Sequence, residues 1–373
     1  MFIKYKKIKS IDYMLCGDKI KIVITTKSRT FDAKLVVGDK TFVDCFNDDE
    51  PYDRHTHVFY IPKNDVNEKT NLRLEMKCFS KRGIGFFFEF VFGNPNFADE
   101  SELLQSYDNG LTLASKEKET IDGCVEYEHN LYKDRNNKDV HVFVAIFESK
   151  KASLYVGTPN DGYESVKVRA TIPEMIASAK ANGVDVITAV NADFFDIFGD
   201  FHPAGLCVKN GKIVANPNSK RNFIATLKGG GHVITSLEES PEILPQIDHA
   251  ASGLQMIVKD GKINEFAPLE PFSFVRHPRT AVGIRKDGTV IVMVVDGRIP
   301  DYSNGASLVD LAKLMISYGA DRALNLDGGG SSAIYTKNGS DYILRSRPAD
   351  LFRPTARLIR KDFNSLLVRK LDN

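Results

Sequence analysis

Alternation of apolar and polar positions divides this chain into two stretches of different character. Up to about residue 108, short alternating runs follow one another: Lys19 to Ile24, Phe31 to Val37, His57 to Ile61, Leu72 to Cys78 and Phe86 to Phe92. Each favours a strand, and Gly, Asp, Asn and Pro turns separate them. No helical period lasts three turns, so the pattern predicts a small all-β sandwich over residues 1–108. Asp99 to Gln105 is read as adding a helical turn, and the polar run that follows as a linker over residues 109–120.

From residue 121 to 373 the pattern changes. Val140, Val142, Val144 and Ile146 alternate up to Glu148, and Thr171-Ile-Pro-Glu174 is a capping box that opens a helix stopped at Asn182-Gly183. Val184 to Val190 then reads as a buried strand running into Asn191-Ala-Asp193. The same order recurs in Val290, Val292 and Val294 before Asp296, in the capping box Ser307-Leu-Val-Asp310, and in Ala323 to Leu326 running through Asn325-Leu-Asp327. The fold expected is α+β: a mixed β-sheet domain with a few packed helices, preceded by the all-β sandwich. If the recurrence is an internal repeat, its two strands are adjacent and parallel, and both Asn-x-Asp ends converge on one cleft. The plainer alternative is chance, since capped helices before strands are common.

Composition narrows the function classes. Hydrophobic residues at 42% and charged residues at 27% describe a globular chain, and fifty basic against forty-nine acidic side chains argue against nucleic acid as a partner. The five cysteines are scattered with no CxxC pair, as expected of reduced structural thiols rather than a zinc site. The N-terminus lacks a convincing signal peptide, and no apolar run is long enough to span a bilayer. A cytoplasmic product without membrane attachment is expected, with association to a virion as a further reading.

Candidate chemistry gathers at turns and strand ends. In Asn325-Leu-Asp327-Gly328-Gly329-Gly330-Ser331-Ser332 an acid precedes three residues without a β-carbon, and two hydroxyls follow them. Bare backbone lets amides approach an oxygen-rich ligand closely; an ordinary glycine hairpin would read the same way. Asn191 and Asp193, His202, Arg279, and Asp296 with Arg298 and Ser303 form the other clusters. Arginine forks suit phosphate, and glycosidic cleavage commonly uses two carboxyls, for which Asp193, Asp296 and Asp327 are available. Each has a simpler reading: Asp296-Gly as a hairpin turn, Arg279 as a buried ion-pair partner, His202 as a loop residue. GxSxG, P-loop and HExxH motifs are absent. Nothing demands a cofactor, although the Asp and Asn oxygens are compatible with Ca²⁺ or Mg²⁺.

At these residues the chain resembles the phosphodiester glycosidase family. Asn191-Ala-Asp-Phe-Phe, Pro203-Ala-Gly-Leu, Pro278-Arg-Thr-Ala-Val-Gly283, Val-Asp-Gly-Arg298, Ser303 to Ala312 and Asn325 to Ser332 occur in the family's order. The resemblance implies hydrolysis of the bond between a sugar's anomeric carbon and a phosphodiester, N-acetylglucosamine-1-phosphodiester among the candidates. It carries over Asn191, Asp193, Arg279, Asp296, Arg298, Asp327, Gly328, Gly329 and Ser331 as the pocket. It departs at Asp193, where the family usually has a small residue. Asp327 is the expected catalytic carboxylate with Asp296 second, Arg279 and Arg298 hold phosphate, and the Gly328–Gly330 amides stabilise developing charge. The competing reading is a non-catalytic carbohydrate-binding or structural component, such as a phage tail or baseplate protein that grips a surface glycopolymer while residues 1–108 dock on a larger assembly.

Overall fold

Strands supply nearly all the order in this chain. The computed structural model describes residues 8–16, 18–44, 54–78, 85–92, 98–99, 110–197, 199–216, 220–264, 275–353 and 356–371. Two compact units emerge, one over Met1–Tyr107 and a second beginning at Asp108. The helical turn expected over residues 99–105 falls largely outside the described residues.

In the first unit the runs read as separate strands at residues 19–24 and 31–37 are one strand, Lys19–Val37. Its first half pairs with Ile8–Cys16 and Arg54–Pro62, and its second half with Lys40–Val43 and Asn71–Cys78, which pairs in turn with Gly85–Val91. Two leaves thus share a single long strand. Ile20, Ile22 and Ile24 from one half and Leu35, Leu72 and Leu74 from the other meet in one core.

The second unit is built on an eight-stranded antiparallel sheet and two five-stranded antiparallel sheets. In the eight-stranded sheet Arg322–Asn325 pairs with Arg279–Ile284, then come Val290–Val295, Asp139–Phe147, Val125–Lys133 and Thr112–Ile121. All six residues of Val290–Val295 are buried, as continuous apolar strands require when both faces are covered. One five-stranded sheet runs Ala152–Gly157, Ser365–Lys370, Val186–Asn191, Ile334–Asn338, Asp341–Leu344; the other centres on Ile247–Ser252. Phe143, Val156, Ile187, Ile224 and Leu324 bring all three sheets into one core. Both expected helices form, Ile172–Ala181 and Leu308–Ser317, with the Thr171–Glu174 and Ser307–Asp310 boxes closed in both directions. The chain is therefore mostly β, with helices as covering elements, so the α+β expectation holds only loosely. No helix among the described residues is long and apolar enough to cross a membrane.

Two expectations need correction. Residues 112–120 are not a linker: Thr112–Ile121 is the edge strand of the eight-stranded sheet, and nine of its ten residues are exposed. Its charges pair across to the next strand, Lys116 with Glu128 and Lys118 with Glu126, both at 2.9 Å, so a polar run here is a ladder of cross-strand ion pairs. The internal repeat is not a repeat of topology either. Val186–Asn191 and Arg322–Asn325 belong to different sheets, and the strands bonded to each are antiparallel to it.

A chain starting at Asp108 is expected to fold alone with one cooperative transition by circular dichroism. One starting at residue 122 should be less stable, because it loses the strand that covers Val125–Lys133. An insoluble 108–373 chain would count against the division into units.

Candidate active site

The two Asn-x-Asp ends do meet, at a seam between sheets. The Asp327 amide donates to the Ala192 carbonyl at 2.9 Å. Asn191, wholly buried, donates from Nδ2 to the Asp327 carbonyl at 2.6 Å. Its Oδ1 accepts from the Thr280 hydroxyl at 2.7 Å and from the Ala333 amide at 3.4 Å. A primary amide suits this place because it donates and accepts at once. The Ser332 hydroxyl completes the clamp, 3.3 Å from that of Thr280. Asn325 faces elsewhere, its Nδ2 donating to the Gln255 side chain at 3.2 Å.

Each glycine of the turn makes room for a protein group. A β-carbon on Gly328 would lie 2.8 Å from the Pro278 carbonyl, and one on Gly330 would lie 2.1 Å from an Asp350 carboxylate oxygen. Gly329 has φ +63° and would bring a β-carbon within 3.0 Å of Arg298 Nη1. The expected cradle of amides is partly committed inside the protein. The Gly328 amide donates to Asp327 Oδ1 at 2.8 Å, and that of Gly329 to the Pro278 carbonyl at 3.0 Å. The bare backbone here serves close packing around Asp327.

The three expected acids differ in their surroundings. Burial pushes Asp327 up to about 6, opposed by the Ser331 hydroxyl, the Arg360 guanidinium and the Gly328 amide. Asp193 is 2% exposed, and burial pushes it well above the usual carboxylate range. Its amide donates to Asn364 Oδ1 at 2.9 Å, and Asn364 Nδ2 donates back to its carboxyl at 3.0 Å. Arg221 opposes the rise and Asp327 adds to it, which places Asp193 within electrostatic reach of Asp327 but behind it, in the interior. Asp296 is also buried. Its carboxyl accepts from the Tyr302 hydroxyl at 3.1 Å and the Arg347 amide at 2.7 Å, and its carbonyl accepts from the Ser303 hydroxyl at 2.6 Å. Asp296 and Ser303 thus close the turn between them.

The arginines separate in the same way. Arg279 directs Nε to the Ala306 carbonyl at 3.1 Å and Nη2 to that of Val275 at 3.0 Å, an arrangement that ties its own loops together. Arg298 sits at φ +57°, an uncommon conformation for a residue with a side chain, and such strain tends to collect at functional sites. Its Nε donates to His277 Nδ1 at 3.1 Å. Burial, with Arg298 and Arg279 nearby, pushes His277 down to about 4, so the ring is neutral and can accept. Arg298 also lines a cleft of about 560 Å³ with Arg276, Tyr302 and Asn304. His202 pairs with Asp200 in the loop after Phe195, and Asp196 completes a group whose ligand atoms lie within 4.8 Å of one another. That group is the one place among the described residues where His and acidic side chains gather as a cation would need.

Four residues of this neighbourhood were missed from sequence: Asp350, Arg360, Asp362 and Asn364. Arg360 donates to Asp350 Oδ2 from Nε at 3.0 Å and Nη2 at 2.7 Å, and to the Ser331 hydroxyl from Nη1 at 3.3 Å. A signal was available, since Asp362-Phe-Asn364 is a third polar-x-polar pair, placed just before the strand Ser365–Lys370.

Residues 184–360 match the family described as phosphodiester glycosidase. The mouse N-acetylglucosamine-1-phosphodiester alpha-N-acetylglucosaminidase is 28% identical over 162 residues, 39% of this chain and 30% of its own length. A protein from Bacillus subtilis, the SPbeta prophage-derived uncharacterized protein YomE, is 44% identical over 77 residues, 19% of this chain and 12% of its own. The chain thus spans less than a third of either relative. The catalytic domain of zebrafish N-acetylglucosamine-1-phosphodiester alpha-N-acetylglucosaminidase, auto-inhibited by its pro-peptide, shares the fold with a TM-score of 0.52 at 21% identity, over 70% of this chain and 84% of that one. Over residues 184–360, the stretch that holds Asn191, Asp193, Arg298 and the glycine turn, this chain matches the phosphodiester glycosidase family, and the resemblance read from its motifs holds.

Proposed function

We propose that the protein hydrolyses the bond between a sugar's anomeric carbon and a phosphodiester. The observation that carries this reading is Asp327: a carboxyl raised to about 6, at the end of a strand, within reach of Arg298 and Arg360. Above that pH it is ionised yet basic enough to take a proton from water at neutral pH. Water then attacks the anomeric carbon, its proton passes to Asp327, and the bond from that carbon to the phosphate oxygen breaks. The departing phosphate monoester needs no proton from the protein, since its second pKa is about 6. Arg298 balances its charge, a task that suits a planar fork of donors. Asn191 and Ser332 fix the turn on which Asp327 stands.

The test is release of free sugar together with a phosphate monoester from a panel of glycosyl-1-phosphodiesters, N-acetylglucosamine-1-phosphodiesters first. Turnover is expected, with kcat/KM falling below about pH 6 as Asp327 is protonated. A ligand that binds and is recovered unchanged throughout the panel would overturn the hydrolase and leave a carbohydrate-binding component.

A further inference from the structure

The strand Val186–Asn191 delivers Asn191 to the glycine turn at one end. Its other end follows Asp185, about 20 Å from Asn191 at about 3.3 Å per residue. Around Asp185 lies a second cleft of about 640 Å³, lined also by Tyr155, Asp161, Tyr163, Asn182, Asn210 and Arg369. No step above uses any of them. The inner wall is a saturated network: Asp161 accepts from the Tyr155 hydroxyl at 2.9 Å, from buried Lys209 at 2.6 Å and from Asn182 Nδ2 at 2.9 Å. Other charges nearby are matched as well, Asp185 with Lys337 at 2.7 Å and Asp248 with Arg369 at 3.4 Å. Exposed Lys370 adds one positive charge, and a lone lysine in water holds an anion weakly. The cleft therefore calls for neither a cation nor an anion.

What remains unspent is neutral hydrogen-bonding capacity beside an aromatic ring. Asn182 and Asn210 give Nδ2 to Asp161 and to the Tyr163 hydroxyl, at 2.9 and 3.1 Å, and no donor among the described residues reaches either Oδ1. Arg369 directs Nη2 to Asp248, while its Nε has no partner. Tyr163 is 42% exposed yet fixed, by Asn210 on its hydroxyl and by the Lys212 ammonium 5.1 Å from its ring centre. An aromatic body with a polar tip, set among a few polar groups in a concave site, matches a ligand with apolar faces and hydroxyl edges. Sugar rings have that shape. We propose that this cleft binds a neutral saccharide, one ring lying against Tyr163 and its hydroxyls meeting Asn182, Asn210 and Arg369. Asn191 touches Asp327, so the cleft is too far from that acid to hold the sugar whose bond is cleaved. It takes a separate saccharide, or a distant part of a long one.

The test is calorimetric titration of the whole chain with neutral oligosaccharides of glucose, N-acetylglucosamine, galactose and mannose, and with inorganic phosphate. At least one oligosaccharide is expected to bind in the millimolar range or tighter, and phosphate is not expected to compete with it. Tyr163→Ala should weaken that binding by about tenfold or more. Asn210→Gly should weaken it by several-fold, the scale of one neutral hydrogen bond. Both side chains are exposed, and glycine adopts the φ of +47° at residue 210 without cost, so circular dichroism should find both variants folded. Arg298→Ala locates the binding: it should leave the affinity unchanged, because Arg298 belongs to the other cleft. Four results would overturn the proposal: binding undiminished in Tyr163→Ala, binding lost in Arg298→Ala, displacement by phosphate, or no binding by any of the oligosaccharides. None of these measurements needs turnover, so the outcome stands apart from the hydrolase reading.

Discussion

Asp327→Asn is expected to lower turnover at neutral pH by at least about a hundredfold, the scale on which acid–base groups contribute. The substitution keeps the volume of the side chain and an oxygen able to accept from the Gly328 amide. It removes the charge and the ability to take a proton. Steady-state kinetics on any glycosyl-1-phosphodiester the native chain cleaves would check the effect, and near-normal turnover would reduce Asp327 to a turn residue. The same variant should be more stable than the native chain in mildly alkaline urea. Burial raises Asp327 from 3.8 to about 6. Below the unfolded value both states are protonated and nothing is lost; as pH rises toward 6 the unfolded chain sheds its proton first, and native stability declines. Two decades of proton affinity correspond to an upper bound of about 3 kcal/mol, less because Asp327 keeps some solvent contact. The gain in Asp327→Asn should therefore be present at pH 8 and vanish near pH 4. Loss of activity with gain of stability is the pattern of a functional carboxyl held against its solvation preference.

What the sequence disclosed depended on how far each interaction reaches along the chain. The two capping boxes close within three residues, so Thr171 with Glu174 and Ser307 with Asp310 were readable directly. The strand Thr112–Ile121 was misread because its partners are charges on a neighbouring strand, and a charged run viewed alone looks solvated on every side. The convergence of Asn191 and Asp327 was anticipated for an incorrect reason: they meet across two sheets through a backbone bond from Asp327 to Ala192, not side by side in one. Gly328, Gly329 and Gly330 announced close approach, but not by what. The answers, Pro278, Arg298 and Asp350, all lie outside the turn and are set by tertiary packing alone. Arg360 escaped notice because no turn residue or capping pattern marks it, and Asp362 because its polar-x-polar pair comes before its strand instead of after it.

The backbone of His277 and Pro278 is held by hydrogen bonds from Ala306 and Gly329, and the second prediction follows from that. The His277 amide donates to the Ala306 carbonyl at 3.1 Å, and the Ala306 amide returns the bond at 3.0 Å. Gly305, just before Ala306, sits at φ +82°, where a β-carbon would lie 2.7 to 2.9 Å from three backbone atoms of His277. Backbone cannot swing aside as a flexible side chain does. Gly305→Ala therefore combines strain from the left-handed region, roughly 1–2 kcal/mol, with overpacking of about 1–3 kcal/mol. A loss of about 2–5 kcal/mol in urea unfolding is expected. Gly229→Ala is the control: no atom lies within 4 Å of its β-carbon position and its φ is not positive, so it should be close to neutral. Because the Pro278 carbonyl accepts from Gly329, a displaced segment also shifts the turn that carries Asp327, and Gly305→Ala molecules that remain folded should turn over more slowly. If Gly305→Ala matched Gly229→Ala in stability, the His277–Ala306 pairing would be looser than its geometry requires, and the rigidity assigned to this wall of the site would fail with it.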